Sequence, residues 1–361
     1  MILGKVQIIC GWLGMYCIFR SRCHDGVARI GDRIWLGRTV PKPSTRGRRR
    51  ESMSLVDALR CAENPVREYL YTTFPNTKPI TKDAREWLRL TPTILPSHEV
   101  PWSIIGKAFD LRIRYYFQSH PAYLPWSGKR NLEDDPRIIR SLPTEHQFIP
   151  GLFREFSARL DEALKRLKPV GRRLEQTEEL ELGQYCILLA MFQQWNPYSS
   201  HRTLFSRLNP PKNLSAVASI VKPLWLDDLC QLSWLFYDRQ CFLLSFPAIF
   251  EASFGVRWAC ADMIVDNRVI EIKTTKDPSI KKSWIYQVVA YALLADTGSY
   301  RSREAGIYMS RQGFLCSWPL PWLLNVLHGG KIRSIRKLRM EFQRICGATV
   351  LGVGKVRSVY C

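Results

Sequence analysis

The sequence predicts a mixed α/β fold, and three observations carry that expectation. Apolar residues recur at helical spacing over most of residues 53–245 and change to strand-like alternation from 246 onward. Two tight-turn signals, Asp266-Asn267 and Arg311-Gln312-Gly313, each sit between short apolar runs. Their order gives β-β-β-α-β-β-α for the C-terminal half, a central mixed sheet flanked by helices, with a helical insertion before its hairpin.

The first 52 residues read as a separate basic arm. They end in Pro41-Lys42-Pro43-Ser44-Thr45-Arg46-Gly47-Arg48-Arg49-Arg50, where breakers and like charges oppose packing. Residues 6–19 form an apolar run after Lys5, but Phe19-Arg20-Ser21-Arg22-Cys23 lacks a small-x-small cleavage pattern. The arm reads either as a nucleic-acid contact or, the favoured reading, as a mis-assigned start, since Met53 opens a more ordinary stretch. Residues 53–345 form the main domain, with the insertion at about 120–245, and residues 346–361 read as a flexible tail.

Ser54 can cap a helix running to about Ala62, and Pro65 permits a second through Tyr71. Residues 102–118 make an amphipathic helix with Ile105, Phe109, Ile113 and Tyr116 on one stripe and Ser103 as its cap. The stretch 120–150 is Pro-rich and looped. Helices are expected over 150–168, over 177–195 (apolar after Gly183) and over 223–244, starting near Leu226-Asp227-Asp228. Strands follow at 248–252, 256–265 and 268–274, then a helix at 283–296. Ala305–Met309 and Leu315–Trp318 read as strands, Gly329-Gly330 as a helix stop, and 331–345 as a basic helix.

The chain has 361 residues with a formal charge of +21. Residues 1–52 hold 11 Lys/Arg against 3 Asp/Glu, so +8 lies there and +13 remains on the rest. A body this basic points to a polyanion, and nucleic acid is the usual one. The 11 cysteines form no CxxC and sit mostly in apolar surroundings, as free thiols would in a reducing compartment such as the cytoplasm. That spacing excludes a zinc ribbon or a local iron–sulfur cluster. The six His form neither HxH nor HxxxH, which excludes the common zinc hydrolase motifs, and no P-loop is present. No apolar run reaches the ~20 residues of a membrane span.

The chemistry-bearing constellation is Asp262 on one hairpin strand with Glu271 and Lys273 on the next. Residues two apart share a strand face, so Glu271 and Lys273 point one way while Ile270 and Ile272 face a core. Hard oxygens suit Mg²⁺, with Mn²⁺ as a substitute, and an adjacent ammonium can orient water or stabilise phosphate charge. Taken singly, Asp262 could cap the hairpin, and Glu271 with Lys273 could be an exposed charge pair.

These residues resemble the PD-(D/E)XK nuclease superfamily: Asp262 matches its Asp, and Glu271-Ile272-Lys273 its ExK. Gln287-Val-Val-Ala-Tyr291 resembles the QxxxY motif of the RecB-like exonuclease branch. Gly106-Lys-Ala-Phe-Asp110 resembles its GxxxH helix, with Asp in place of His. Matched regions cover roughly 100–118 and 246–320. The resemblance implies a restriction-endonuclease-like core and Mg²⁺-dependent hydrolysis of DNA phosphodiesters, DNA being favoured over RNA. It further implies Asp110, Asp262, Glu271 and the Ile272 carbonyl as metal ligands, and Lys273, Gln287 and Tyr291 at the reacting groups. Read without it, Gln287 and Tyr291 could be a helix edge, and Asp110 could pair with Arg114.

Lys276, Lys331, Arg333, Arg336, Lys337 and Arg339 are candidate phosphate contacts, the basic helix reading otherwise as a solvated face. Trp284 and Trp318 could stack on bases, but a core position is the more common role for such residues. A helicase or other protein is a candidate partner. The rival expectation is a non-cleaving nucleic-acid-binding subunit of a defence or repair complex.

Overall fold

The computed structural model describes residues 54–96, 99–118, 147–194, 213–253, 259–295 and 302–347. The basic arm, most of the Pro-rich stretch after 118 and the tail beyond Gly347 lie outside these residues. Helices α1 (Leu55–Arg60), α2 (Pro65–Thr73), α3 (Lys78–Arg89) and α4 (Trp102–Phe117) come first. The inserted helices are α5 (Ile149–Leu167), α6 (Gln176–Gln194), α7 (Leu214–Ala218) and α8 (Pro223–Gln240). Strands β1 (Ala248–Ser253), β2 (Cys260–Val265) and β3 (Arg268–Lys273) precede α9 (Lys282–Leu294). Then come β4 (Glu304–Met309), β5 (Phe314–Pro319), α10 (Leu320–His328) and α11 (Ile335–Ile345).

The strands form one mixed sheet in the order β1-β2-β3-β4-β5. All neighbours are antiparallel except β3 and β4, which run parallel on either side of α9. Asp266 and Asn267 adopt φ of 48° and 58°, the pair of positive angles a type I′ hairpin turn requires. That turn pins the register of β2 on β3, and so decides which residues meet across the hairpin.

Alternation along the strands feeds two apolar layers. Met263, Val265, Ile270 and Ile272 pack with α4, α5, α6 and α8. Ile264, Val269, Ala305 and Ile307 pack with α1, α2, α3, α9, α10 and α11 on the other face. Val269 lies in that second layer and alternation puts Glu271 and Lys273 with it, facing α9.

Two buried ion pairs lock the first layer. Arg112 of α4 donates from Nε and Nη2 to Glu179 of α6 at 2.7 and 2.8 Å. Arg311, in the β4–β5 turn, donates from Nη1 and Nη2 to Asp228 of α8 at 2.8 and 2.7 Å. Gly313 closes that turn at φ 57°, and a Cβ there would lie 2.6 Å from the Leu235 side chain. Only glycine lets the turn seat against α8 at that distance.

Several expectations need correction. Ser103 does not cap α4: Pro101 takes the N-cap position, with no side-chain bond to the helix. The helix expected near Leu226 starts at Pro223, whose fixed φ suits the first turn. Helix α10 lies where no helix is expected: Pro319 is its N-cap and Pro321 lies in the first turn. The helix over 331–345 begins only at Ile335, with the Ser334 hydroxyl accepting from the Lys337 N–H. Among the described residues Cys61, Cys186, Cys230, Cys241, Cys316 and Cys346 are free, but Cys260 is disulfide-bonded, against the expectation of free thiols. No described helix is long and apolar enough to cross a membrane.

Candidate active site

The hairpin opens where the candidate residues begin. β2 and β3 pair through Val265–Arg268, Ile264–Val269 and Met263–Ile270, and the ladder stops there. Continued by one step, the register would set Asp262 opposite Glu271. Instead, the Ile272 N–H donates to Asp262 Oδ2 at 2.8 Å. The Asp262 carboxylate thus takes the place of a ladder carbonyl and satisfies a backbone donor that the opening would orphan. So the hairpin-cap role and the site role coexist in this one residue.

From Glu271 a chain of polar contacts crosses to α9. Lys273 Nζ donates to Glu271 Oε1 at 2.5 Å and to Gln287 Oε1 at 3.2 Å. Gln287 Nε2 donates in turn to the Tyr291 hydroxyl at 3.2 Å. Gln287 and Tyr291 are four apart on α9 and therefore share a face. Both are buried against β3, so they are not a solvated helix edge.

Helix α4 brings the third carboxylate. Gly106, one turn before Asp110, is close to Thr274 at the end of β3: a Cβ at Gly106 would lie 3.6 Å from the Thr274 side chain. Thr274 is held by the Ser310 hydroxyl at 3.0 Å. Asp110 keeps some contact with solvent, yet burial among protein atoms and the nearby Asp262 charge push its carboxyl up to about 7. Lys107, Arg114 and Lys273 pull it in the opposite direction. Glu271 is deeply buried; that burial and the Asp262 charge hold it well above the usual carboxylate range despite Lys273, and Asp110 adds to the rise. The same surroundings, burial first and Glu271 next, raise the Tyr291 hydroxyl.

Asp110, Asp262 and Glu271 repel one another, and Glu271 Oε2 is buried with no hydrogen-bond partner. Hard oxygens in that condition fit a divalent cation. They do not form a closed cage: among the described residues no three His, Cys, Asp or Glu side chains gather tightly enough to hold an ion alone. An ion that retains several waters, as Mg²⁺ does, needs only a few protein oxygens.

The other expected residues separate into rim and periphery. Lys276 is exposed 5.9 Å from the Trp102 ring. Trp284 is half-buried with Lys273 and Lys281 over its ring at 5.7 and 5.3 Å, so it borders the site. Trp318 is fully buried and cannot stack on a base. Lys331, Arg333, Arg336 and Lys337 are exposed on and before α11, which packs on α2 and α9. Arg339 instead donates to the Ser302 carbonyl at 3.1 Å.

Sequence reasoning missed Glu251 and Lys107, and Arg114, a candidate partner of Asp110, donates to Glu251 Oε1 at 2.6 Å. A Glu inside the apolar strand Ala248-Ile249-Phe250-Glu251-Ala252 was a usable signal, because a half-buried carboxylate requires a partner.

No family model, no curated protein and no solved structure matches this chain.

Proposed function

We propose that this chain is a metal-dependent nuclease that hydrolyses DNA phosphodiester bonds, with its mixed sheet serving as a restriction-endonuclease-like core. The observation that carries the reading is the contact chain Glu271–Lys273–Gln287–Tyr291, set beside an Asp262 that already holds Ile272. Two carboxylates at an opened hairpin would not by themselves indicate phosphodiester chemistry. Two carboxylates with a lysine aimed between strand and helix do, because that reaction needs a cation site, a positioned water and charge stabilisation together.

Asp110, Asp262, Glu271 and the Ile272 carbonyl would hold Mg²⁺ or Mn²⁺. When bound, the ion supplies Lewis acidity toward a phosphate oxygen and lowers the pKa of a coordinated water. Lys273 orients the attacking water and stabilises charge on the phosphate, its ammonium steered by Glu271 and Gln287. Tyr291 fixes the Gln287 amide, so that its oxygen faces Lys273. Lys276 and the exposed cations before and on α11 bind the substrate backbone, and Trp284 offers a stacking face at the rim. DNA is favoured over RNA as substrate, and a helicase is one candidate partner.

A second reading, a non-cleaving nucleic-acid-binding subunit, draws on the Lys273–Glu271 ion pair, which engages an oxygen a cation would use. Incubating the chain with linear single- and double-stranded DNA under Mg²⁺, Mn²⁺ or EDTA separates the two. Metal-dependent degradation that falls about 10²–10³-fold in Lys273→Ala is expected. DNA binding without degradation, unchanged by EDTA or by Lys273→Ala, would establish the second reading.

A further inference from the structure

Strand β1 contains a strained residue. Glu251 adopts φ 50°, in the left-handed region that a non-glycine residue rarely enters and that costs free energy in mid-strand. Its neighbours keep the ladder: Phe250 pairs with Met263 and Ala252 with Ala261. Glu251 therefore lies across from Asp262. Strain of this kind persists only where the surroundings impose it.

Two cations of α4 engage its side chain. Arg114 Nη2 donates to Glu251 Oε1 at 2.6 Å, and Lys107 Nζ lies 3.5 Å from the same oxygen. All three side chains are largely withdrawn from solvent, which weakens screening of the attraction. Lys107 is three residues before Asp110 and Arg114 four after, so both share its helix face. Both still lower the Asp110 carboxyl through their charge, while their ion pairs close on Glu251 at the sheet edge.

We propose that Glu251 is a positioning residue for Asp110: by engaging Lys107 and Arg114 it anchors α4 over the opened hairpin and leaves the Asp110 carboxylate for a divalent cation. This rests on the metal-dependent reading. The left-handed backbone places the Glu251 carboxylate where one anion reaches cations separated by two helical turns. Its effect on the cation passes through Asp110.

Calorimetric titration of the full chain with Mn²⁺, without nucleic acid, tests this. Glu251→Gln and Asp110→Asn are each expected to weaken Mn²⁺ binding about 10–100-fold. The Glu251→Gln/Asp110→Asn double variant should bind no more weakly than Asp110→Asn alone. Where Glu251→Gln does not fold, Glu251→Asp, which keeps the charge and shortens its reach, carries the same comparison. Wild-type affinity in the Glu251 variant, or losses that multiply in the double variant, would overturn the role of Glu251 and leave the metal reading standing. Absence of saturable Mn²⁺ binding by the unaltered chain would overturn both.

Discussion

The helical layer and the opened hairpin both bury charge, and they handle it differently. Between α4 and α6, and between α8 and the β4–β5 turn, each guanidinium meets one carboxylate through two parallel hydrogen bonds. At the hairpin, Lys273 acts on both Glu271 and Asp110, Asp262 raises both carboxyls, and Lys107 and Arg114 divide their charge between Asp110 and Glu251. The guanidinium pairs match one charge with one charge and serve the fold, although Arg112 Nη1 and Arg311 Nε stay buried without a hydrogen-bond partner. An unbalanced group is unfavourable in the folded chain, and burial of that kind is a mark of candidate functional sites.

The largest test of this contrast is Glu179→Ala. It leaves Arg112 buried and uncompensated, and urea unfolding should show a loss of about 3–5 kcal/mol. A loss near zero would mean that the pair is not as balanced as its geometry suggests.

The opposite sign is expected at the hairpin. The Asp110 carboxyl titrates near 7 in the folded chain against 3.8 for the ordinary group. The folded state thus holds its proton more tightly than the unfolded state. This contribution to stability is complete below the ordinary value and is lost as pH rises through about 7. In EDTA, thermal melts should fall across that window, and Asp110→Asn should flatten the fall. At pH 8 the variant should be more stable by on the order of 1–3 kcal/mol. Mn²⁺ should reverse the order of the two proteins. A destabilised Asp110→Asn in EDTA would place Asp110 among the structural pairs.

The smallest effect belongs to solvent-exposed pairs. Arg159→Ala, removing the α5 pair with Glu155, should change stability by less than about 0.5 kcal/mol. A larger change would show that exposure, not balance, separates the classes.

How far the sequence reveals this site depends on the range of the signal. Asp266-Asn267 announces its hairpin through the chemistry of two residues, and the alternation of Ile270, Glu271, Ile272 and Lys273 assigns faces unaided. The four-residue spacing of Gln287 and Tyr291 predicts a shared helix face. Helix α10 escapes because Leu320–His328 is apolar nearly throughout and offers no period to read. Trp318 is ambiguous from sequence because a Trp in a strand can face either layer. The approach of α4 to β3 depends on packing across more than a hundred residues. Glu251 is the extreme case: its partners Lys107 and Arg114 lie more than a hundred residues earlier in the chain.

The hydrogen bond from Ile272 to Asp262 bears on denticity. With Oδ2 engaged by the sheet, Asp262 presents Oδ1 as its open oxygen and is predisposed to bind an ion through one atom. Large, flexible coordination shells such as that of Ca²⁺ draw on carboxylates gripping with both oxygens, whereas compact octahedral ions are content with one. In the proposed site, the residue that ends the β2–β3 ladder would thus offer an ion a single oxygen, a preference set before any ion arrives.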